Sequence, residues 1–111
     1  GQDNKRIHVK SKGQRYSIPL SKILYIEKED RHCLVHMEDT VLTLSYTLGE
    51  MEALCGNGFL KINRYCLVNI GQIARIESAT RNIQLTDGSI VQCSQRRLPV
   101  ALQTLYESRF L

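Results

Sequence analysis

Lys61, Asn63, Arg64 and Tyr65 crowd into one short segment of the stretch Gly58–Glu77. Arginine can donate two hydrogen bonds to a guanine edge and asparagine can do the same with adenine, while lysine and tyrosine hold phosphate oxygens. The polar group is set among Phe59, Leu60, Ile62, Leu67, Val68, Ile70, Ile73 and Ile76. These apolar residues suit a core and would hold the polar side chains at a fixed place. On its own the stretch reads equally well as a solvated turn beside a buried strand. A second set, Ser94-Gln95-Arg96-Arg97, lies between a strand-like and a helix-like segment. Backbone amides there can bind a phosphate while Arg96 or Arg97 reaches outward; the plainer reading is a capped helix start with solvated arginines. A third set, Arg31-His32, follows Glu27, Glu29 and Asp30, and those carboxylates weaken it as an anion site.

Other chemistries find little to work with. An enzyme needs a convergent acid, base, nucleophile or metal set. The histidines are His8, His32 and His36, with no His-Glu-x-x-His pattern, no phosphate-binding glycine loop and no Gly-x-Ser-x-Gly elbow. No enzyme activity, metal or cofactor is expected. Cys33, Cys55, Cys66 and Cys93 include no Cys-x-x-Cys pair, which predicts reduced structural thiols in a reducing compartment. No apolar run approaches the ~20 residues of a membrane span, and no signal peptide is visible. The expectation is a cytoplasmic domain without a membrane partner.

The net charge of +4 is unevenly spread. Lys5, Arg6, Lys10, Lys12 and Arg15 crowd the N-terminus, and Lys61, Arg64, Arg75, Arg81, Arg96, Arg97 and Arg109 face only Glu77, Asp87 and Glu107 beyond Cys55. The acidic middle, Glu27 to Glu52, is expected to face away from any polyanion. The 111 residues suit one domain. Gly1 and the polar residues after it read as an appended start or a linker over residues 1–5, with the domain covering 6–111.

The elements that would position these groups are mostly strands. Ile7–Lys10 and Arg15–Ile18 alternate apolar and polar around a turn at Lys12-Gly13. Ile23–Ile26, His32–Met37 and Val41–Leu44 read as further strands, with Glu27–Arg31 as a charged loop. Thr47-Leu48-Gly49-Glu50 matches a capping box and predicts a helix burying Leu48, Met51 and Leu54, stopped by Gly56 and Gly58. Gln72–Glu77, Ile83–Leu85 and Ile90–Cys93 follow as strands, the last two joined through Asp87-Gly88. A closing helix, with Pro99 in its first turn, is expected to bury Leu98, Leu102, Leu105 and Tyr106. The sum is a mostly-β domain of about eight to ten short strands with one or two short helices. No helix-turn-helix is visible, so any DNA reading falls to loops on a β scaffold.

The run Phe59-Leu60-Lys61-Ile62-Asn63-Arg64-Tyr65-Cys66-Leu67-Val68-Asn69 resembles the signature of the LytTR DNA-binding domain. The likeness spans about residues 5–107, taking in Ile23–Glu27, Leu48–Leu54, Ile73–Glu77, the Asp-Gly hairpin and the Ser94-Gln-Arg-Arg ending. The resemblance implies an elongated stack of small antiparallel sheets whose loops enter successive major grooves of promoter DNA. By position it assigns Arg31 or His32 to the first contact loop, Lys61, Asn63 and Arg64 to the second, and Arg96, assisted by Arg97, to the third. It further implies the output module of a bacterial two-component transcriptional regulator, with a receiver domain upstream and two copies, possible as a dimer, on direct repeats. Lys61 stands where the signature has Arg, Asn63 where it has His, Tyr65 where it has Ser, and Cys66 at an aromatic position. A protein-interaction β domain, recruiting a partner through exposed strand edges without binding DNA, is the alternative.

Overall fold

Residues 5–110 are described by the computed structural model; the first four residues, and with them most of the expected linker, lie outside them. Strand β1 (Arg6–Ser11) buries Ile7 and Val9 and leaves Arg6, His8 and Lys10 outside. It pairs with β2 (Gln14–Pro19) through the turn Lys12-Gly13. Both turn residues have positive φ, 51° and 77°, as a two-residue hairpin matching strand twist requires.

The central sheet contains β3 (Ile23–Glu29), β4 (His32–Met37), β5 (Val41–Leu44), β6 (Phe59–Asn63) and β7 (Cys66–Asn69), in the order β5-β4-β3-β7-β6 and all antiparallel. The expected charged loop at Glu27–Arg31 is mostly strand. Lys28 pairs with Cys33 and Glu29 with His32, leaving only Asp30 and Arg31 as the turn. Cross-strand pairing satisfies the backbone of these residues while their charged side chains stay at the wet end of the sheet.

Two bulges decide which face each side chain takes. The β3 register shifts between Ile23 and Tyr25. Ile23 and Ile26 then enter one core, while Leu24 and Tyr25 both turn to the other. The β6 register shifts between Lys61 and Asn63, around Ile62. A bulge inserts one residue and re-aims those after it.

One face of the central sheet packs against β1, β2 and α1 (Leu48–Cys55), burying Ile7, Val9, Val35, Leu44, Met51 and Leu67. Each fully buried side chain of this size stabilises the fold by about 1.5–3 kcal/mol relative to exposure. Helix α1 starts at the expected capping box: Thr47 Oγ1 accepts from the Glu50 N–H at 3.0 Å, and the Glu50 carboxylate accepts from the Thr47 N–H at 2.9 Å. Its buried face is Leu48, Met51 and Cys55; Leu54, expected inside, is 42% exposed. Gly56, at φ 73°, ends it.

The other face packs against the sheet β8 (Ile73–Glu77), β9 (Asn82–Leu85) and β10 (Ile90–Gln92), and against α2 (Leu98–Phe110). Ile62, Cys66, Val68, Ile73, Ile83, Leu85 and Ala101 fill this second core. Helix α2 turns Leu98, Ala101 and Leu105 inward. Leu102 and Tyr106, expected inside, are exposed, because the contact with β6 and the turn at Ile70–Gln72 follows the 98–101–105 row. Among the described residues the result is ten strands in three antiparallel sheets with two α-helices, measuring 43 × 34 × 24 Å. Cys33, Cys55, Cys66 and Cys93 are all free and buried, as expected of structural thiols.

Candidate nucleic-acid interface

The antiparallel register places two hairpin tips at one end of the central sheet. Glu27 of β3 pairs with Cys66 of β7, and the Lys28 N–H donates to Tyr65 O at 2.8 Å just beyond. The Asp30-Arg31 turn between β3 and β4 therefore stands beside the Arg64-Tyr65 turn between β6 and β7. Arg31, His32 and Arg64 are exposed, and Tyr65 is 51% exposed. The Arg64 guanidinium lies 5.1 Å from the centre of the Tyr65 ring, a cation–π contact that limits where the arginine can point.

The segment Ser94–Arg97, between β10 and α2, is tied to the same place by two bonds, and the end of β10 just before it by a third. Ser94 N–H donates to Ile62 O at 2.9 Å, Arg97 Nε donates to Lys61 O at 2.8 Å, and Asn63 Nδ2 donates to Gln92 O at 2.7 Å. Asn63 Oδ1 also accepts the Tyr65 N–H at 2.7 Å, fixing the hairpin tip. Ser94 Oγ accepts the Arg97 N–H at 3.2 Å at the start of α2.

Of the ten residues in the three sets read from the sequence, all but Gln95 line two adjoining clefts. The first is walled by Lys28, Asp30, Arg31, His32, Tyr46, Lys61 and Arg64 together with the start of α1; the second by Lys61, Asn63, Arg64, Tyr65, Ser94, Arg96 and Arg97. Lys61 and Arg64 belong to both. The cleft walls carry six lysines and arginines, Lys28, Arg31, Lys61, Arg64, Arg96 and Arg97, and one carboxylate, Asp30. Glu50, nearby, is held in the α1 cap. Among the described residues the one close contact between a carboxylate and a basic side chain is His36 Nε2 to Glu27 at 2.9 Å, so no carboxylate lies within salt-bridge distance of the cleft lysines and arginines. A groove lined mainly by cations raises the local potential in the sense that suits an anionic ligand.

The acidic middle does not all face away. Glu38 and Asp39 lie at the opposite end of the sheet, in a cleft with Lys22 and Asp87, but Glu29 and Asp30 sit at the end that carries the two hairpin tips. Behind the tips the support is packed. Tyr25 stacks on His36 at 4.1 Å with the rings 8° apart, and burial, followed by the nearby Glu27 carboxylate, raises the Tyr25 hydroxyl above its usual pKa. Burial, again reinforced by Glu27, pushes the Cys66 thiol up to about 12, so the residue after Tyr65 is a neutral packing group.

The structure separates jobs that the sequence left together. Arg31, His32, Arg64 and Arg96 point into solvent, whereas Asn63, Ser94 and Arg97 are half-buried and bonded within the protein. Of the Ser94–Arg97 backbone amides considered above as a phosphate site, those of Ser94 and Arg97 are engaged with Ile62 O, Ser94 O and Ser94 Oγ. Lys28 and Tyr46 were not singled out. Only the β3–β7 register and the α1 start bring them to the cleft, and neither has a local signal. Asn69, the last residue of the run, is buried and braces the scaffold by donating to Leu20 O at 3.0 Å and Ile23 O at 2.7 Å.

Comparison with known proteins gives a consistent picture. A family profile described as the LytTr DNA-binding domain matches residues 13–105. Among solved structures, the chain is similar to the LytTr DNA-binding domain of a putative methyl-accepting/DNA response regulator from Bacillus cereus, with a TM-score of 0.78 and 25% identity over 92% of this chain and 97% of that one. No curated protein sequence matches.

Proposed function

The chain belongs to the LytTR family of DNA-binding domains, and from that premise we propose sequence-specific recognition of promoter DNA through the two adjoining clefts. One observation carries the reading: residues from three distant parts of the chain converge there, and Lys61 and Arg64 are common to both clefts. In this reading Arg64 and Arg96, and Arg31 or His32 at the first turn, reach base edges in the major groove. Lys61 holds the phosphate backbone. Asn63, Ser94 and Arg97 hold the loops, and Tyr65 steadies Arg64.

The similar Bacillus cereus domain comes from a putative response regulator. By analogy this chain serves as the output module of a two-component regulator, with a receiver domain upstream and two copies on direct repeats, paired on the DNA. Among the described residues no helix is long and apolar enough to cross a membrane; action on promoter DNA would place the domain in the cytoplasm. The family is one of DNA-binding domains, not of enzymes.

Selection from a random duplex library, followed by anisotropy titration, tests the reading. A preferred sequence is expected, and Arg64→Ala or Arg96→Ala should each weaken its binding by about five- to 150-fold, the equivalent of roughly 1–3 kcal/mol per base contact. Equal affinity for every duplex, or binding indifferent to both substitutions, rules it out.

A further inference from the structure

The β1–β2 hairpin carries charge that the contact loops do not use. From Lys5 to Ile26 the chain has no acidic residue and six basic ones, Lys5, Arg6, Lys10, Lys12, Arg15 and Lys22. Burial of Ile7, Val9 and Ile18 turns Lys10 and Arg15, which are cross-strand partners, to the outside. Like charges directly opposite on a hairpin repel, so this pairing costs the fold stability.

The hairpin's tip lies at the contact end of the molecule. Lys10 N–H donates to Tyr46 Oη at 3.0 Å, and Ser11 Oγ donates to Thr43 O at 3.0 Å. Tyr46 walls the first cleft beside Arg31 and His32, and Thr43 pairs with Leu34, two residues from His32. The turn Lys12-Gly13 thus stands next to the first contact loop. Its backbone is notable too. Lys12 holds φ 51°, a left-handed conformation that asparagine or glycine adopts with less strain. Its ammonium has no carboxylate partner among the described residues. Lys22, by contrast, lies at the far end in a cleft with Glu38, Asp39 and Asp87.

We propose that Lys10, Lys12 and Arg15 form a fourth DNA contact, which grips phosphates flanking the first cleft and does not read sequence. The proposal rests on the DNA-binding reading of the clefts. Flexible cations on an exposed turn suit phosphate oxygens, which are the same at every base pair. The contact therefore adds affinity and salt dependence without adding specificity.

Salt titration separates the two. Anisotropy is followed on two labelled duplexes of equal length, one carrying the selected sequence and one unrelated, between about 50 and 200 mM salt. Each phosphate contact contributes about 0.9 to the slope of log affinity against log salt. K10Q/K12N/R15Q is expected to flatten the slope by between about one and three on both duplexes while leaving their affinity ratio unchanged. K12N alone should flatten it by about one with a melting temperature equal to or above the parent's, since asparagine suits the turn. K22Q should keep the parent slope. A triple variant with the parent slope, while the parent still prefers its selected sequence, overturns the hairpin contact alone. A changed affinity ratio overturns its sequence independence. Failure of the parent to bind any duplex overturns both this proposal and the reading beneath it.

Discussion

Replacing Asn63 by alanine distinguishes a brace from a reader. The side chain donates to Gln92 O and accepts from the Tyr65 N–H, both at 2.7 Å. Each such bond contributes about 0.5–1.5 kcal/mol net, and solvent reaches this site, so the lower half of the range applies and the pair is worth about 1–2 kcal/mol. For a domain of this length that corresponds to a melting temperature lower by roughly 4–8 °C. Loss of the brace also frees the Arg64-Tyr65 tip, which both clefts share, so affinity should fall for every duplex while the preferred sequence stays the same. Thermal unfolding by circular dichroism and a repeat of the duplex selection measure the two effects. A melting temperature within a degree of the parent, combined with loss of preference at a single base pair, would refute the reasoning and make Asn63 a base contact.

Arg96 and Arg97 are adjacent yet should separate cleanly. Arg97→Ala removes the bond to Lys61 O and is expected to lower the urea midpoint by the equivalent of about 1 kcal/mol as well as weaken binding; Arg96→Ala, at an exposed position, should weaken binding alone. Thr47→Ala dismantles the capping box of α1 and should cost about 1 kcal/mol in urea unfolding. Burial raises Cys55 and Cys66 from 9.0 to about 12. Their stabilising effect is therefore full below pH 9.0 and is lost as pH rises toward about 12, because the unfolded chain gives up thiol protons that the folded chain retains. Unfolding free energy should fall in that window with a slope of up to about 1.4 kcal/mol per pH unit per thiol, a dependence that Cys55→Ser should reduce.

Most strands are legible because period-two alternation records which face is buried. Ile7 and Val9 against Arg6, His8 and Lys10 leave one solution. The Thr47–Glu50 cap is legible because it is wholly local. What escapes is set by tertiary partners. The reach of β3 to Glu29 depends on β4 lying opposite, since charged residues carry no strand signal of their own. The bulge around Ile62 resets the alternation of β6 and sends both Ile62 and Asn63 toward the second core and β10. The inward face of α2 passes through Ala101, a residue too small to mark it. At the candidate site, residue types and the family signature point to the loops. The division of labour within them stays hidden, because the bonds that enforce it join Asn63 to Gln92 and Arg97 to Lys61 across 29 and 36 residues.

Those long-range bonds also bear on the alternative of strand recruitment. β5 and β6 are the edges of the central sheet, and unpaired edge groups invite another strand. On β6, Ile62 O and Lys61 O are taken by Ser94 N–H and Arg97 Nε. On β5, Thr43 O is taken by Ser11 Oγ, with Lys10 anchored to Tyr46 alongside. A domain that worked by β-augmentation would need at least one of these edges open near its functional residues. Here the bonds that occupy the edges are the ones that carry the third loop and the basic hairpin to the cleft walls. Edge protection and loop placement are thus a single requirement. A substitution that loosens either edge should weaken DNA binding in an anisotropy titration, even at a position such as Ser11 that is assigned no contact of its own.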